Sequence, residues 1–273
     1  MNNQPNIWAQ YQVAKNIVDS VFRRPHRDAV PEKSEKLFLR AGIGIYGDCH
    51  AKPTSPRQVL LVSTGAYRQF KLAPCSLREN ILIDVDELRL SSGDLLLIGD
   101  RAALRITFEC EPCARLNRFR PKLSRDIKGN RGYVARVIRS GMISPKNKIE
   151  VIPRVFRSFS YDWKERVIDI VRMLPPDHVI SYVRLAELAG VPKSFCRSFP
   201  RLLHSREDVP WARVVPSHEM TEANVHRFAN IQQLGSSGEM SKAVCRPAWL
   251  GSEVFSDEIQ FMSKSPVLPR KSS

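Results

Sequence analysis

Between residues 58 and 139 the chain is a succession of short β-prone runs. QVLLVS (58–63), NILI (80–83), DLLLIG (94–99), AALRITFE (102–109) and YVARVIR (133–139) are separated by Gly, Pro, Asp and Asn. Runs of this length with that punctuation predict a compact antiparallel barrel or sandwich over residues 40–152. From residue 153 the period changes. Trp163, Val167, Ile170, Val171 and Leu174 recur at the spacing of one helical face, and Pro175-Pro176 stops the helix. A second helix is predicted in VRLAELAG (183–190), closed by Gly190 and Pro192, and a third in KSFCRSFPRLL (193–203). Helix, turn with Gly, helix is the spacing of a helix-turn-helix. The expectation is a multidomain α+β chain with an N-terminal extension (1–30), a β-rich barrel (31–152) and a linker (153–160). A small helical winged-helix or helix-turn-helix domain (161–240) and an irregular tail (241–273) complete it.

The length of 273 residues suits two domains, and 42% hydrophobic with 26% charged residues is ordinary for a globular protein. No apolar run approaches the ~20 residues of a membrane span. The start lacks the apolar core of a secretory signal, and Asp19 and Asp28 do not suit a transit peptide. Six cysteines in such a chain do not make a disulfide scaffold. The expected setting is intracellular and cytoplasmic, or nuclear in a eukaryote, with no membrane partner and with thiols free for chemistry.

The net charge is +15, and its distribution matters more than its total. Residues 115–148 hold eleven Lys and Arg against Asp126 alone. A block so one-sided suits an anion, whether a phosphorylated cofactor, nucleic acid or an acidic partner; a solvated face is the plainer reading.

Cys110-Glu111-Pro112-Cys113 opens that basic stretch. It reads in three ways. It could be half of a zinc site completed by Cys49-His50, a redox dithiol, or a single soft thiolate ligand for the transition metal of an anionic cofactor. The order GIYGDCH (44–50), RQVLLVS (57–63), LRENILI (77–83), LLLIGD (95–100), CEPCARLN (110–117) and GYVARVIRSGMI (132–143) resembles the MOSC family, the domain named for the C-terminal part of molybdenum cofactor sulfurases. The resemblance runs over nearly all of residues 40–150 and implies a β-rich barrel. It also implies that Cys113 ligates molybdenum in a molybdopterin-type cofactor and is the catalytic position, with pyridoxal phosphate binding as a further family association. Arg78, Glu79 and Asn80 match the REN signature expected to contact or position the cofactor, with the Arg78 guanidinium on phosphate. Arg57 and Arg115 are additional anion contacts. His50 matches the GDxH position, as a cofactor contact or as a hydrogen-bonded structural histidine; Cys49 before it stands where arginine is common. Cys110 is expected to support the site or to be merely buried.

Residues 161–240 carry a second resemblance, to the DNA-binding domain of O6-alkylguanine-DNA alkyltransferases. It rests on HVISYVRLAELAGVPKSFCRSFPRLL (178–203) and VPWARVVPS (209–217). The acceptor cysteine is replaced by Trp211 and its neighbouring histidine by Ala212. Ser236 and Ser237 stand where the family usually has glutamates. Alkyl transfer needs an activated thiolate, and an indole cannot accept the group. A tryptophan in that slot resembles alkyltransferase-like proteins, which recognise alkylated guanine without repairing it. The resemblance implies that Tyr182 crowds the phosphate and Arg197 fills the stack as a base rotates out. Cys196 and Ser198 would let the helix approach the minor groove, Trp211 would stack on the base, and Arg213 would complete the DNA-binding set. Pro200 replaces a glycine of the recognition helix, and the domain carries only a small positive charge, so DNA affinity is expected to be modest and salt-dependent.

Together the resemblances imply a molybdenum-dependent oxidoreductase acting on N-hydroxylated bases, served by a separate electron-donating reductase and joined to a non-catalytic reader of alkylated guanine in DNA. A cofactor carrier or scaffold with a degenerate DNA-binding domain is the alternative.

Overall fold

In the computed structural model, residues 14–175, 178–216 and 252–264 are described. They divide into two compact units, one reaching Phe159 and regaining the chain from Asp257, the other running from Ser160 to Ser256. Ser236, Ser237, Trp8, Cys245 and Trp249 lie outside the described residues.

The first unit is built on a closed sheet. Its strands are β1 (Ala14–Arg23), β5 (Val59–Ser63), β6 (Ile81–Ile83), β7 (Leu95–Ile98), β8 (Ala102–Glu109), β9 (Tyr133–Arg139) and β11 (Lys148–Ile152). They follow the order β11-β7-β8-β9-β5-β6-β1, and pairing of β1 with β11 closes a seven-stranded barrel. Every pair is antiparallel except β5–β6, which run parallel, as a crossover through helix α1 (Thr64–Phe70) requires. The short β2 (Glu32–Ser34) extends the sheet from β1, while β3 (Leu37–Arg40), β4 (Gly44–Ile45) and β10 (Gly141–Ile143) form a small sheet of their own. The barrel interior is filled by Val21, Leu39, Ile45, Leu61, Ile81, Ile83, Leu96, Leu104, Ile106 and Ile149, all buried. A second apolar cluster packs Val62, Ala66, Phe70, Leu77 and Leu116 around α1, with Leu123 from the single turn α2 (Leu123–Asp126).

The five β-prone runs read from the sequence are strands β5 to β9. The N-terminal extension is corrected from residue 14 onward: Ala14–Arg23 pairs with both β6 and β11 and is needed to close the barrel. The irregular tail is corrected too, because Ser256–Lys264 form a helix, α6.

That helix answers a problem in the sheet. Arg105 on β8 and Arg136 on β9 are direct cross-strand partners, and both side chains are almost fully buried. Like charges so placed repel, and each guanidinium has lost its water. Glu258 of α6 lies between them, accepting from Arg105 Nη1 at 3.1 Å and from Arg136 Nε at 3.0 Å. Asp257 takes a further bond from Arg105 at 2.8 Å, and Arg136 Nη1 donates to the carbonyls of Pro53 and Ser55. Phe156 and Phe159 face the Arg105 guanidinium at 5.2 and 4.7 Å.

In the second unit, α3 (Trp163–Arg172) starts where Asp162 accepts from the Lys164 amide, and it buries Val167, Ile170 and Val171. Helix α4 (Tyr182–Leu188) is capped by Ser181 and ends before Gly190, whose φ of 68° favours glycine. The third predicted helix is not continuous. Lys193–Ser198 form a 3-10 segment, and α5 spans only Phe199–His204. Pro200 explains the break: in the first turn of α5 it forfeits no helical bond, whereas within a continuous helix it would. Strands β12 (Ile180–Ser181) and β13 (Val214–Val215) pair in parallel. No helix among the described residues is long and apolar enough to cross a membrane.

Glu258→Ala leaves two desolvated guanidiniums facing each other and is expected to lower unfolding free energy by about 3–5 kcal/mol. Glu258→Gln, which keeps an acceptor, should lose less. Urea unfolding followed by tryptophan fluorescence measures both.

Candidate functional site

At one end of the barrel, three separate segments converge on Asp48, whose side chain is wholly buried. Its carboxylate accepts from the backbone amides of Arg24 and His50, each at 2.9 Å, and from Asn80 Nδ2 at 2.9 Å. Asn80 also accepts from the Leu60 amide, so the same residue ties β5 and the β1 exit to this point. Burial, the largest influence on Asp48, favours the neutral acid, but the bonds from His50 and the Arg24 amide outweigh it and hold its pKa below the ordinary 3.8.

Beside this anchor opens a cavity of about 140 Å³ lined by Arg24, His50, Arg57, Val59, Leu60, Arg78, Asn80, Cys110, Arg131 and Val134. Four guanidiniums line this one small cavity and give it a charge that suits an anion. Three of them have protein partners. Arg24 lies with Nε 3.3 Å from Cys49 Sγ and Nη2 2.8 Å from His50 Nε2. Arg57 pairs with Glu111 and faces the Phe108 ring at 4.9 Å. Arg78 occupies a left-handed backbone position (φ 58°) and donates to the carbonyls of Arg27 and Ala29. Burial and the neighbouring charges of Arg24, Arg115 and Arg118 push its pKa below the ordinary arginine value.

Arg131 differs. It is 7% exposed, and its Nε and Nη1 are buried without a hydrogen-bond partner among the described residues. A buried cationic donor left open costs free energy unless a ligand or water meets it. Gly132 fixes where this arginine enters the cavity: with φ of 91° it allows no side chain, since a Cβ would run into the Leu61 carbonyl, and its own carbonyl accepts from the Cys110 amide at 2.8 Å.

Residues 54–150 match the MOSC domain family. The matched span carries Arg57, Arg78, Asn80, Cys110 and Arg131, while Arg24, Asp48 and His50 precede it. Solved structures similar to the chain include the YUAD protein of Bacillus subtilis (22% identity, 52% of this chain and 98% of that one, TM-score 0.46) and YiiM of Escherichia coli (22% identity, 71% and 94%, TM-score 0.42). YiiM of Geobacillus stearothermophilus is similar at 14% identity, over 70% of this chain and 100% of that one, with a TM-score of 0.45. No curated protein matches the chain.

Of the residues expected to bind cofactor in the MOSC domain, His50, Arg57, Arg78 and Asn80 line the cavity; Glu79, Arg115 and Cys113 are not among its lining residues. Glu79, expected to contact or position the cofactor, sits behind the cavity wall and not in it. It is 1% exposed and accepts from the Tyr67 hydroxyl at 2.5 Å, and that hydroxyl in turn accepts from the Leu77 amide, which braces the turn carrying Arg78 and Asn80. Burial pushes its pKa above the usual carboxylate value. Cys113 is exposed at the start of the 3-10 turn Ala114–Arg118, with Arg115 exposed beside it. Cys110 is buried and lines the cavity. The zinc reading joined Cys49-His50 to Cys110 and Cys113, but Cys49 and His50 cluster with Asp48 instead.

Sequence reasoning missed Arg24, Asp48 and Arg131 as site residues. Arg24 was assigned to the extension, Asp48 lay unremarked inside GIYGDCH, and Arg131 was one of eleven similar charges.

In the second unit, Arg197 and Ser198 are exposed, Cys196 donates to the Tyr182 carbonyl at 3.3 Å, and Tyr182 leans on Phe199 with ring centroids 6.3 Å apart. Trp211 is 45% exposed and tilts over His204 at 4.0 Å. Arg213, expected among the DNA-binding residues, donates from Nη1 to the carbonyls of Leu174 and Pro175 beyond the end of α3.

For His50, burial favours the neutral ring, yet the bonds to Asp48 and Cys49 outweigh it and raise its pKa above 6.5. A raised folded-state pKa gives stability that is fully present below the unfolded value and is lost as pH rises through the folded one. Wild-type stability should therefore fall as pH rises from about 6.5, and this slope should flatten in His50→Gln. In NMR titration, the His50 midpoint should move down in Asp48→Asn.

Proposed function

We propose that the MOSC domain binds a phosphorylated molybdenum cofactor of the molybdopterin type. The observation that carries this reading is Arg131, whose buried donors are unmet in a cavity already lined by Arg24, Arg57 and Arg78. A phosphate satisfies a guanidinium with charge-assisted, bidentate bonds, and a cluster of such groups holds it more firmly than one alone. Cys113 is an exposed thiol three residues from cavity-lining Cys110, and a soft thiolate suits molybdenum.

When bound, such a cofactor supplies two-electron oxygen-atom transfer, which suits reduction of N-hydroxylated bases by electrons from a separate reductase. The chain's own part is to hold and orient. Arg131 and Arg57 would take phosphate oxygens, Arg78 would face them from its fixed turn, and Cys113 would hold the metal. Val59, Leu60 and Val134 give the cavity an apolar wall that strengthens these charge contacts.

Protein from a cofactor-producing host is expected to contain molybdenum and a fluorescent pterin. Cys113→Ser should lose the metal while keeping its circular dichroism. Arg131→Ala should lower pterin retention by about 1.5–3 kcal/mol, the range of a hydrogen bond to a charged group. Folded wild-type protein without metal or pterin from such a host would overturn the reading. Bound pterin without reduction of N-hydroxylated bases by any donor would identify a carrier.

For the second unit, the half-exposed indole of Trp211, with Arg197 exposed, favours recognition of an extruded alkylated guanine, an aromatic wall being worth roughly 1–3 kcal/mol per stacked base. The full-length protein should bind duplex containing O6-methylguanine more tightly than plain duplex in a polarisation titration. Trp211→Ala should remove the difference; equal wild-type affinities would refute the reading.

A further inference from the structure

The Asp48–Cys49–His50 cluster holds chemistry that the cofactor reading does not use. One donor atom from each residue lies within 4.8 Å of the others, a spacing a metal ion could bridge. Arg24 argues against a cation there: its guanidinium touches both the sulfur and the imidazole, so the centre already carries positive charge. The Asp48 carboxylate is taken up by two backbone amides and Asn80. What this surrounding favours is negative charge on sulfur.

Cys49 is partly exposed, with His50 Nδ1 3.6 Å from Sγ and Arg24 Nε at 3.3 Å. Both neighbours line the cavity where Arg131 keeps unmet donors. We propose that the Cys49 sulfur is a nucleophile that exchanges with small disulfides bearing carboxylates, which the arginines of the adjoining cavity hold in place. The groups acting on the sulfur are His50 from its own loop, Arg24 from the end of β1 and Arg78 from the turn before β6, with the Asp48 carboxylate within 4.8 Å. Burial alone would raise the thiol's pKa, but the bonds and charges of His50 and Arg24 bring it below the ordinary value of 9.0. Burial instead leaves Cys75 and Cys196 above theirs.

In the exchange, the Cys49 thiolate attacks one sulfur of the disulfide. A Cys49–sulfur bond forms as the original disulfide bond breaks, and the other half leaves as a thiolate with the bonding electron pair. No further oxidant or proton is needed. The cavity arginines act on the carboxylates, so selectivity is for charge rather than for one named molecule. This inference goes beyond the cofactor reading and does not need molybdenum.

The reduced full-length protein is treated at about pH 6.5 with dithiobis(nitrobenzoate), a dianion, or with uncharged dithiodipyridine, each rate being taken relative to that of a free thiol. Peptide mass spectrometry at short times identifies the labelled cysteine. Residue 49 should label first with the dianion, about tenfold faster than Cys75 or Cys113, and the advantage should shrink with the uncharged reagent and with added salt. Arg131→Ala should slow the dianion selectively. Earlier labelling of Cys113, equal relative rates for the two reagents at residue 49, or an unchanged rate in Arg131→Ala would overturn the proposal. Cys113→Ser should keep the fast reaction while losing molybdenum, so failure of one reading is visible apart from the other.

Discussion

The functional end of the barrel depends on one buried carboxylate. Asp48 has no exposed side-chain surface, and its bonds reach residues 24 and 32 positions away in sequence. Without it, the Arg24 amide, the His50 amide and the Asn80 side chain would each need another acceptor inside the protein. A buried charge is tolerated when its hydrogen bonds are complete, and this one is met from three sides. The reward is position. Arg24 and His50 are fixed against the cavity from one direction and Asn80 from another. The cavity wall is therefore assembled from segments that no local propensity would bring together.

The arginines show how the same residue type serves opposite ends. Arg105 and Arg136 sit opposite each other on neighbouring strands and are neutralised by Glu258, with carbonyls taking other donors. Their bonds hold α6 to the barrel. Arg131 is comparably buried, and two of its nitrogens have no acceptor among the described residues, against Nε alone for Arg105. Donor bookkeeping, more than charge, separates a structural arginine from one open to a ligand.

Strands β5 to β9 were legible because each is an uninterrupted β-prone run between turn residues. β1 was not: AKNIVDSVFR mixes charged and apolar residues, and its register shifts between Val18 and Ser20, which breaks the alternation that marks a strand. Helix α6 was hidden for another reason. Its most consequential residue is Glu258, a carboxylate whose burial makes sense only once two arginines from distant strands are known to await it. The site was legible to the extent that motifs carried it. Arg78 and Asn80 line the cavity, whereas Glu79 between them turns to Tyr67, since neighbours at a bend point to different sides. A run of eleven basic residues could not reveal that Arg136 is consumed by Glu258 while Arg131 is open.

The second unit separates scaffold from reactivity in the same way. Arg213 ties the Trp211 turn to the carbonyls beyond the end of α3, and Pro200 begins α5 where a longer helix was expected. Both features are accounted for by folding alone. Trp211 is not so accounted for. A core indole would be buried, as the aromatic ring of Phe199 is, yet this one remains nearly half exposed with His204 against its face. Exposing that much apolar surface forgoes the burial an aromatic side chain usually gains. Trp211 and Tyr161, 45% and 51% exposed, are thus large side chains of this unit whose surface packing leaves uncovered.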